Sequence, residues 1–102
     1  DNAIQHHRDY RMKGQFVIVR CRDAGVHMGT LVSVHGRTVE LSTSRRLHYW
    51  EGANTLNEVA TAGCGEESRI SQPVDAITLL EACEVIATAA EAQANLERSR
   101  WS

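Results

Sequence analysis

The densest chemistry in the sequence lies in Arg20-Cys21-Arg22-Asp23-Ala24-Gly25-Val26-His27-Met28-Gly29. Two arginines end an apolar run, and two glycines four residues apart follow. Glycine lets a backbone approach a ligand closely and turn its N–H groups toward an anion, while arginine grips phosphate oxygens with a planar fork. The combination suits a phosphate site. A tight turn carrying solvated arginines uses the same residues, and spacing alone favours that plainer reading. A second cluster, Arg45-Arg46-Leu47-His48-Tyr49-Trp50, joins two cations to two aromatic rings. On a strand Arg45 and Arg46 point to opposite faces, so at most one of them joins a given site. Tyr49 and Trp50 have the flat faces that stack a nucleobase, but a chain this poor in aromatics needs Trp50 for its core. Near the C-terminus, Asn95, Arg98 and Arg100 accompany Leu96 and Trp101. Cations there complement a helix dipole, which is sufficient structural reason for them.

Other chemistry is missing. The sequence has no GxSxG elbow, no HExxH, and no glycine pattern of a phosphate-binding loop or dinucleotide fold. Cys21, Cys64 and Cys83 are widely spaced and form no CxxC pair, so they read as reduced thiols rather than a disulfide framework or zinc site. His27, His48 and Cys21 are the one set from which a metal site can be imagined, and neither metal nor cofactor is expected. Nothing in the sequence places a thiol beside a histidine, so the chain reads as a non-enzyme. Glu66-Glu67 reads as a solvated loop. Eleven basic residues against thirteen acidic ones leave a net charge of -2, which argues against wrapping duplex nucleic acid. Of those eleven basic residues only Lys13 is not arginine, so the basic chemistry is forked rather than point-like. No apolar run approaches the roughly 18 residues of a membrane span, and no leader is recognisable.

The elements that must position these groups follow from periodicity. A chain of 102 residues holds one core. Residues 1–12 read as a flexible extension or an expression remnant, with Met12 able to initiate, and residues 13–102 as a single domain. Phe16-Val17-Ile18-Val19 predicts a strand covered on both faces. Thr30–Val34 and Arg37–Leu41 alternate about Gly36, which predicts a hairpin. After the turn-like Ser42-Thr43-Ser44, Arg45–Trp50 predicts a fourth strand, closed by Gly52. Thr55 and Glu58 form a capping box for a short helix with Leu56, Val59 and Ala60 on one face, ended by Gly63. Ile77, Leu79, Cys83 and Val85 recur with a period near two, slipping at Leu80-Glu81. This predicts one bulged strand at 76–86, although propensity also permits a single long helix from Asp75. Thr88-Ala89-Ala90-Glu91 is a second capping box, which predicts a helix over 89–99. Its alanines suit a close helix–helix seam between subunits. The class is α+β: a small bent antiparallel sheet or partial barrel with a short middle helix and a C-terminal helix.

Over residues 14–101 several of these motifs resemble, in order, a family of small bacteriophage proteins with an AGVHxG loop, an arginine pair before YWxGA, and a following helix. In this chain they are Ala24-Gly25-Val26-His27-Met28-Gly29, Arg45-Arg46, Tyr49-Trp50-Glu51-Gly52-Ala53 and the helix from Thr55-Leu56. The family is similar to the first type of Thoeris anti-defence sponge proteins. That resemblance implies a non-enzymatic protein that binds cyclic ADP-ribose isomers made by bacterial TIR enzymes and holds them without cleavage. It also implies cyclic oligonucleotides as further ligands at a separate site, assembly as homodimers or trimers of dimers, and action in the cytoplasm of an infected bacterial host. By the same resemblance, Arg20, Ala24, Gly25, Val26, His27, Arg45 and Arg46 face the ligand, Arg22 adds a phosphate contact, and Asn95 and Arg98 contribute from a dimer interface. Ile70 takes a ligand-facing position where members carry an aromatic ring. Cys21-Arg22-Asp23 and His48 also depart from the pattern, which has Thr, an aromatic and Ser in the first case and an aromatic in the second. The alternative from another class is a small β-barrel module that binds single-stranded nucleic acid or protein in a phage.

Overall fold

Val17, Ile18 and Val19 follow one another in β1 (Phe16–Cys21) and all three are fully buried, so both faces of this strand are covered. The continuous apolar run predicted this, and it sets the architecture. The computed structural model describes residues 12–99; most of the extension read at 1–12, together with Arg100 and Trp101, lies outside the described residues. β1 pairs with β2 (Gly25–His35), and β2 with β3 (Thr38–Tyr49), as an antiparallel meander. Two further strands share the far edge of β3. β4 (Arg69–Ile70) lies opposite Leu47 and Tyr49, and β5 (Val74–Leu79) opposite Val39 to Ser44. β6 (Ala82–Ala87) pairs with β1 at the other edge.

Only Leu80 and Glu81 separate β5 from β6, yet those strands sit on opposite edges. Three consecutive Cα–Cα steps span at most about 11 Å, so the sheet must roll until its edges approach. Glu81, at φ 59, makes the corner. Its carbonyl accepts from the Arg22 N–H at 3.0 Å, and the Ala82 N–H donates to the Arg37 carbonyl at 2.9 Å. The result is a partial barrel that does not close. The stretch 76–86 is therefore two strands rather than one bulged strand, and the slip at Leu80-Glu81 is the corner between them. The predicted break at Ser42-Thr43-Ser44 is absent: β3 runs through it, with Thr43 at φ 48 and a shift in its register with β2. What reads as a turn in sequence is a bulge within one strand. The hairpin turn with Gly36 at φ 61 is as predicted.

The roll creates two apolar layers. Inside it lie Val17, Val19, Cys21, Leu31, Val39, Leu41 and Leu79. Outside it, Ile18, Met28, Leu47 and Ile70 meet Leu56, Val59 and Ala60 of α1 (Leu56–Ala62) and Leu96 of α2 (Ala90–Arg98). Trp50 packs half-buried against this outer layer. The Thr55 hydroxyl accepts from the Glu58 N–H, capping α1 as predicted, and Gly63 ends it at φ 87. The second capping box is not made. Ala89 is the N-cap of α2, and the Thr88 hydroxyl is buried with no hydrogen-bond partner among the described residues. The Ala89 N–H donates instead to the Ala60 carbonyl at 2.8 Å, so docking onto the end of α1 fixes how the chain enters the helix.

Candidate functional site

The register of β3 on β2 decides which arginine faces which layer. Met28 lies opposite Arg45, His27 opposite Arg46, and Val26 opposite Leu47. Met28 and Leu47 belong to the outer layer, so Arg45 projects outward and Arg46 inward with His27. Arg45 is engaged through all three of its guanidinium nitrogens. Its Nε–H donates to the Ser71 carbonyl at 2.8 Å, Nη1 to the Leu96 carbonyl at 3.0 Å, and Nη2 to the Ser99 carbonyl at 2.9 Å. Leu96 lies in the last turn of α2, where the dipole is negative, and its carbonyl accepts from the Ser99 N–H at 3.2 Å as well as from Arg45, so Arg45 joins the cap of that helix and ties it to β3. Burial lowers the Arg45 pKa, but a guanidinium stays charged.

Arg46 has the opposite arrangement. Its backbone is stitched to Ser71: the Arg46 N–H donates to Ser71 Oγ at 2.8 Å, and the Arg46 carbonyl accepts from the Ser71 N–H at 2.9 Å. Its side chain is exposed, and its charge bears on both His27 and Cys21. His27 is 1% exposed, with Nε2 at 2.9 Å from the Ala24 carbonyl. A carbonyl only accepts, so the proton sits on Nε2. Burial lowers the His27 pKa below its ordinary 6.5; the bond to Ala24 opposes this and the Arg46 charge adds to it. The imidazole is neutral at pH 7. Beside it Ser44 is also 1% exposed, and its hydroxyl has no hydrogen-bond partner among the described residues. Ser44, His27 and Arg46 line a cavity of about 280 Å³ whose remaining wall comes from Arg45, Ser71, Gln72, Val74 and Ile77. A second cavity of about 210 Å³ is lined by Arg45 as well, with Phe16, Met28, Thr43, Pro73, Leu96 and Glu97.

A family profile covers almost all of this frame, matching residues 14–96. The chain belongs to the DUF6948 family. That family is described as a domain of unknown function, and its match runs from the residues before β1 to Leu96 in α2. No curated protein and no solved structure matches the chain.

Within this DUF6948 domain the residues singled out from sequence separate into groups. His27 and Arg46 meet at the larger cavity, and Arg45 forms part of its wall. Ala24 supplies the carbonyl that orients His27. Gly25, at φ 83, opens β2, and Val26 packs on the outer layer. β2 is paired on both sides, so the backbone groups from Val26 to Gly29 belong to ladders rather than to an anion-binding loop. Gly29 serves packing: a Cβ there would sit 3.0 Å from the Ser42 carbonyl oxygen. Arg20 lies on the outer face, ion-paired to Glu84 at 3.2 Å, and Arg22 is exposed in the turn between β1 and β2. Ile70 is fully buried in the outer layer, opposite Leu47. Asn95 Oδ1 accepts from the Cys64 N–H at 2.9 Å, and Arg98 is exposed in the last turn of α2. Sequence reasoning missed Ser44 and Ser71. Ser44 was concealed by its turn-like neighbours, whereas Ser71 carried no signal.

Among the described residues no three His, Cys, Asp or Glu side chains converge as metal ligands, so His27, His48 and Cys21 form no such set. Ser44 Oγ makes no hydrogen bond to His27, so no hydroxyl–imidazole relay is assembled. Among the described residues no helix is long and apolar enough to cross a membrane.

Proposed function

We propose that this protein is a non-enzymatic bacteriophage anti-defence protein that binds and sequesters cyclic nucleotide immune signals, cyclic ADP-ribose isomers foremost and cyclic oligonucleotides besides, in the cytoplasm of the infected host. One observation carries this reading: a cavity lined by the exposed Arg46 and by Ser44, whose buried hydroxyl lacks a partner among the described residues. Buried polar atoms are almost always hydrogen-bonded, and an orphan hydroxyl on a residue that lines a cavity suits a ligand whose arrival uncovers it and brings its own donor or acceptor. A cyclic nucleotide offers phosphate oxygens to Arg46 and ribose or ring atoms to Ser44 and to the neutral His27. Sequestration needs slow release rather than bond cleavage, and a serine without a base is suited to holding a ligand.

Size bears on assembly. Pockets that enclose a drug-sized ligand run from about 300 to 1,000 Å³, so a cavity of about 280 Å³ takes only part of a dinucleotide. A second copy of the chain, in a homodimer or trimer of dimers, would cover the rest. Nanomolar retention corresponds to about -12 kcal/mol, which calls for that enclosure.

The test is retention. Purified protein is mixed with cyclic ADP-ribose isomers and with cyclic oligonucleotides, freed of unbound ligand, heat-denatured, and the released material is analysed. Near-stoichiometric recovery of intact ligand is expected, with Arg46→Ala reducing it about tenfold or more, the loss of a charge-assisted bond. Altered product would mean an enzyme. Retention of none of these ligands overturns the proposal, and binding of single-stranded nucleic acid or a protein in their place supports the interaction-module alternative.

A further inference from the structure

The bulge between β1 and β6 brings together two thiols that the binding site does not use. Arg20 lies opposite Glu84, but the next residue, Cys21, lies opposite Ala82, so Cys83 is the extra residue at that step. In such a bulge two residues oppose one partner. The faces can be followed along β6. Ile86 packs on the outer layer, Val85 on the inner, and Glu84 reaches outward to Arg20. Alternation then turns Cys83 to the inner side, and the bulge keeps Ala82 there too, against the layer that contains Cys21. Both thiols are free; Cys21 is buried and Cys83 exposed. The Cys83 thiol is close enough to raise the Cys21 pKa, in addition to the larger effect of burial, while the Arg46 charge lowers it.

We propose that Cys83 and Cys21 are a redox-responsive pair, in which the exposed thiol captures a small disulfide and the buried thiol resolves it into a bond between the first and last strands. The Cys83 thiolate attacks one sulfur of a low-molecular-weight disulfide such as glutathione disulfide. A mixed disulfide forms and one glutathione thiolate leaves. Cys21, having given its proton to solvent, then attacks Cys83 Sγ and expels the second glutathione thiolate. The protein loses two hydrogens overall, and one disulfide is reduced to two thiols. Cys83 is the entry point because it is exposed, and Cys21 is protected from direct attack by burial. Cys64 takes no part, since it is buried in the outer layer beside α1. The bond would pin the barrel at the bulge, next to the Arg46 end of β3.

The experiment uses the full-length reduced protein with glutathione disulfide as the probe, followed by intact mass and non-reducing peptide mapping. A loss of about 2 Da, a Cys21–Cys83 cross-linked peptide and reversal by dithiothreitol are expected. The oxidised form should also melt several degrees higher than the reduced one, since the bond closes a long loop. Cys83→Ser, at an exposed position, should abolish the mass loss, whereas Cys21→Ser should stop the reaction at the mixed disulfide on Cys83. Accumulation of glutathionylated Cys83 in the native sequence without a cross-link, or a cross-link to Cys64, overturns the proposal.

Discussion

Arg45 and Arg46 are adjacent in sequence and share a strand, yet they belong to opposite regions of the molecule. The outer face of β3 is roofed by α1 and α2, and there each of the three guanidinium nitrogens of Arg45 donates to a backbone carbonyl. On the inner face near the end of the same strand Arg46 is exposed, and it lines a cavity together with Ser44. The difference shows how one residue of parity along a strand separates a cation that builds the fold from one that is free to act at a cavity.

The most direct way to break this contrast is to truncate each arginine in turn. Arg45→Ala removes three hydrogen bonds to backbone carbonyls and leaves those of Ser71 and Ser99 without this donor, so it should cost about 2–4 kcal/mol, read as a lowered denaturation midpoint. Arg46→Ala should stay within about 0.5 kcal/mol of the parent, because an exposed side chain is removed. Equal losses from the two would erase the distinction. A smaller effect is expected at Ser44. Ser44→Ala deletes a buried hydroxyl with no partner, so stability should hold or rise by up to about 1 kcal/mol while ligand retention falls. A clear loss of stability would show that the hydroxyl serves the fold. The smallest effect concerns His27, whose pKa is depressed in the folded state mainly by burial. The unfolded chain therefore binds more protons below pH 6.5. The contribution is complete above that pH and is lost as pH falls toward the lowered folded value. Melting temperatures measured from neutral to mildly acid pH should decline in this window, and His27→Gln should flatten the decline.

How far the sequence could be read depended on the distance of the deciding contact. Phe16–Val19 announced a doubly covered strand because its own apolar run requires it, and Gly36 and the Thr55–Glu58 box were legible for the same local reason. The corner at Leu80-Glu81 showed only as a break in period, because its cause is the meeting of two edges remote in sequence. Thr88 matched a cap pattern whose place was taken by the Ala60 carbonyl, a tertiary partner that no local pattern reveals. The candidate site follows the same rule. Strand parity separated Arg45 from Arg46, but which of them stayed exposed depended on pairing with β2 and on where α2 ends. Ile70 and Asn95 stood at plausible positions for a ligand, and tertiary packing placed one in the core and the other on a backbone amide.

The pairing of β1 with β6 also governs the order in which the chain can be completed. The β1–β2–β3 meander draws on contacts between neighbours in sequence, whereas β1 gains its second partner only when almost the whole chain exists. Loop closure of this kind is slow, so the last stage of folding should be the arrival of β6. Until then β1 presents a bare row of backbone donors and acceptors beside a strongly apolar sequence, which invites pairing with another chain. A product truncated before Ala82 would keep that edge open permanently, so for this protein solubility during synthesis rests on the arrival of β6.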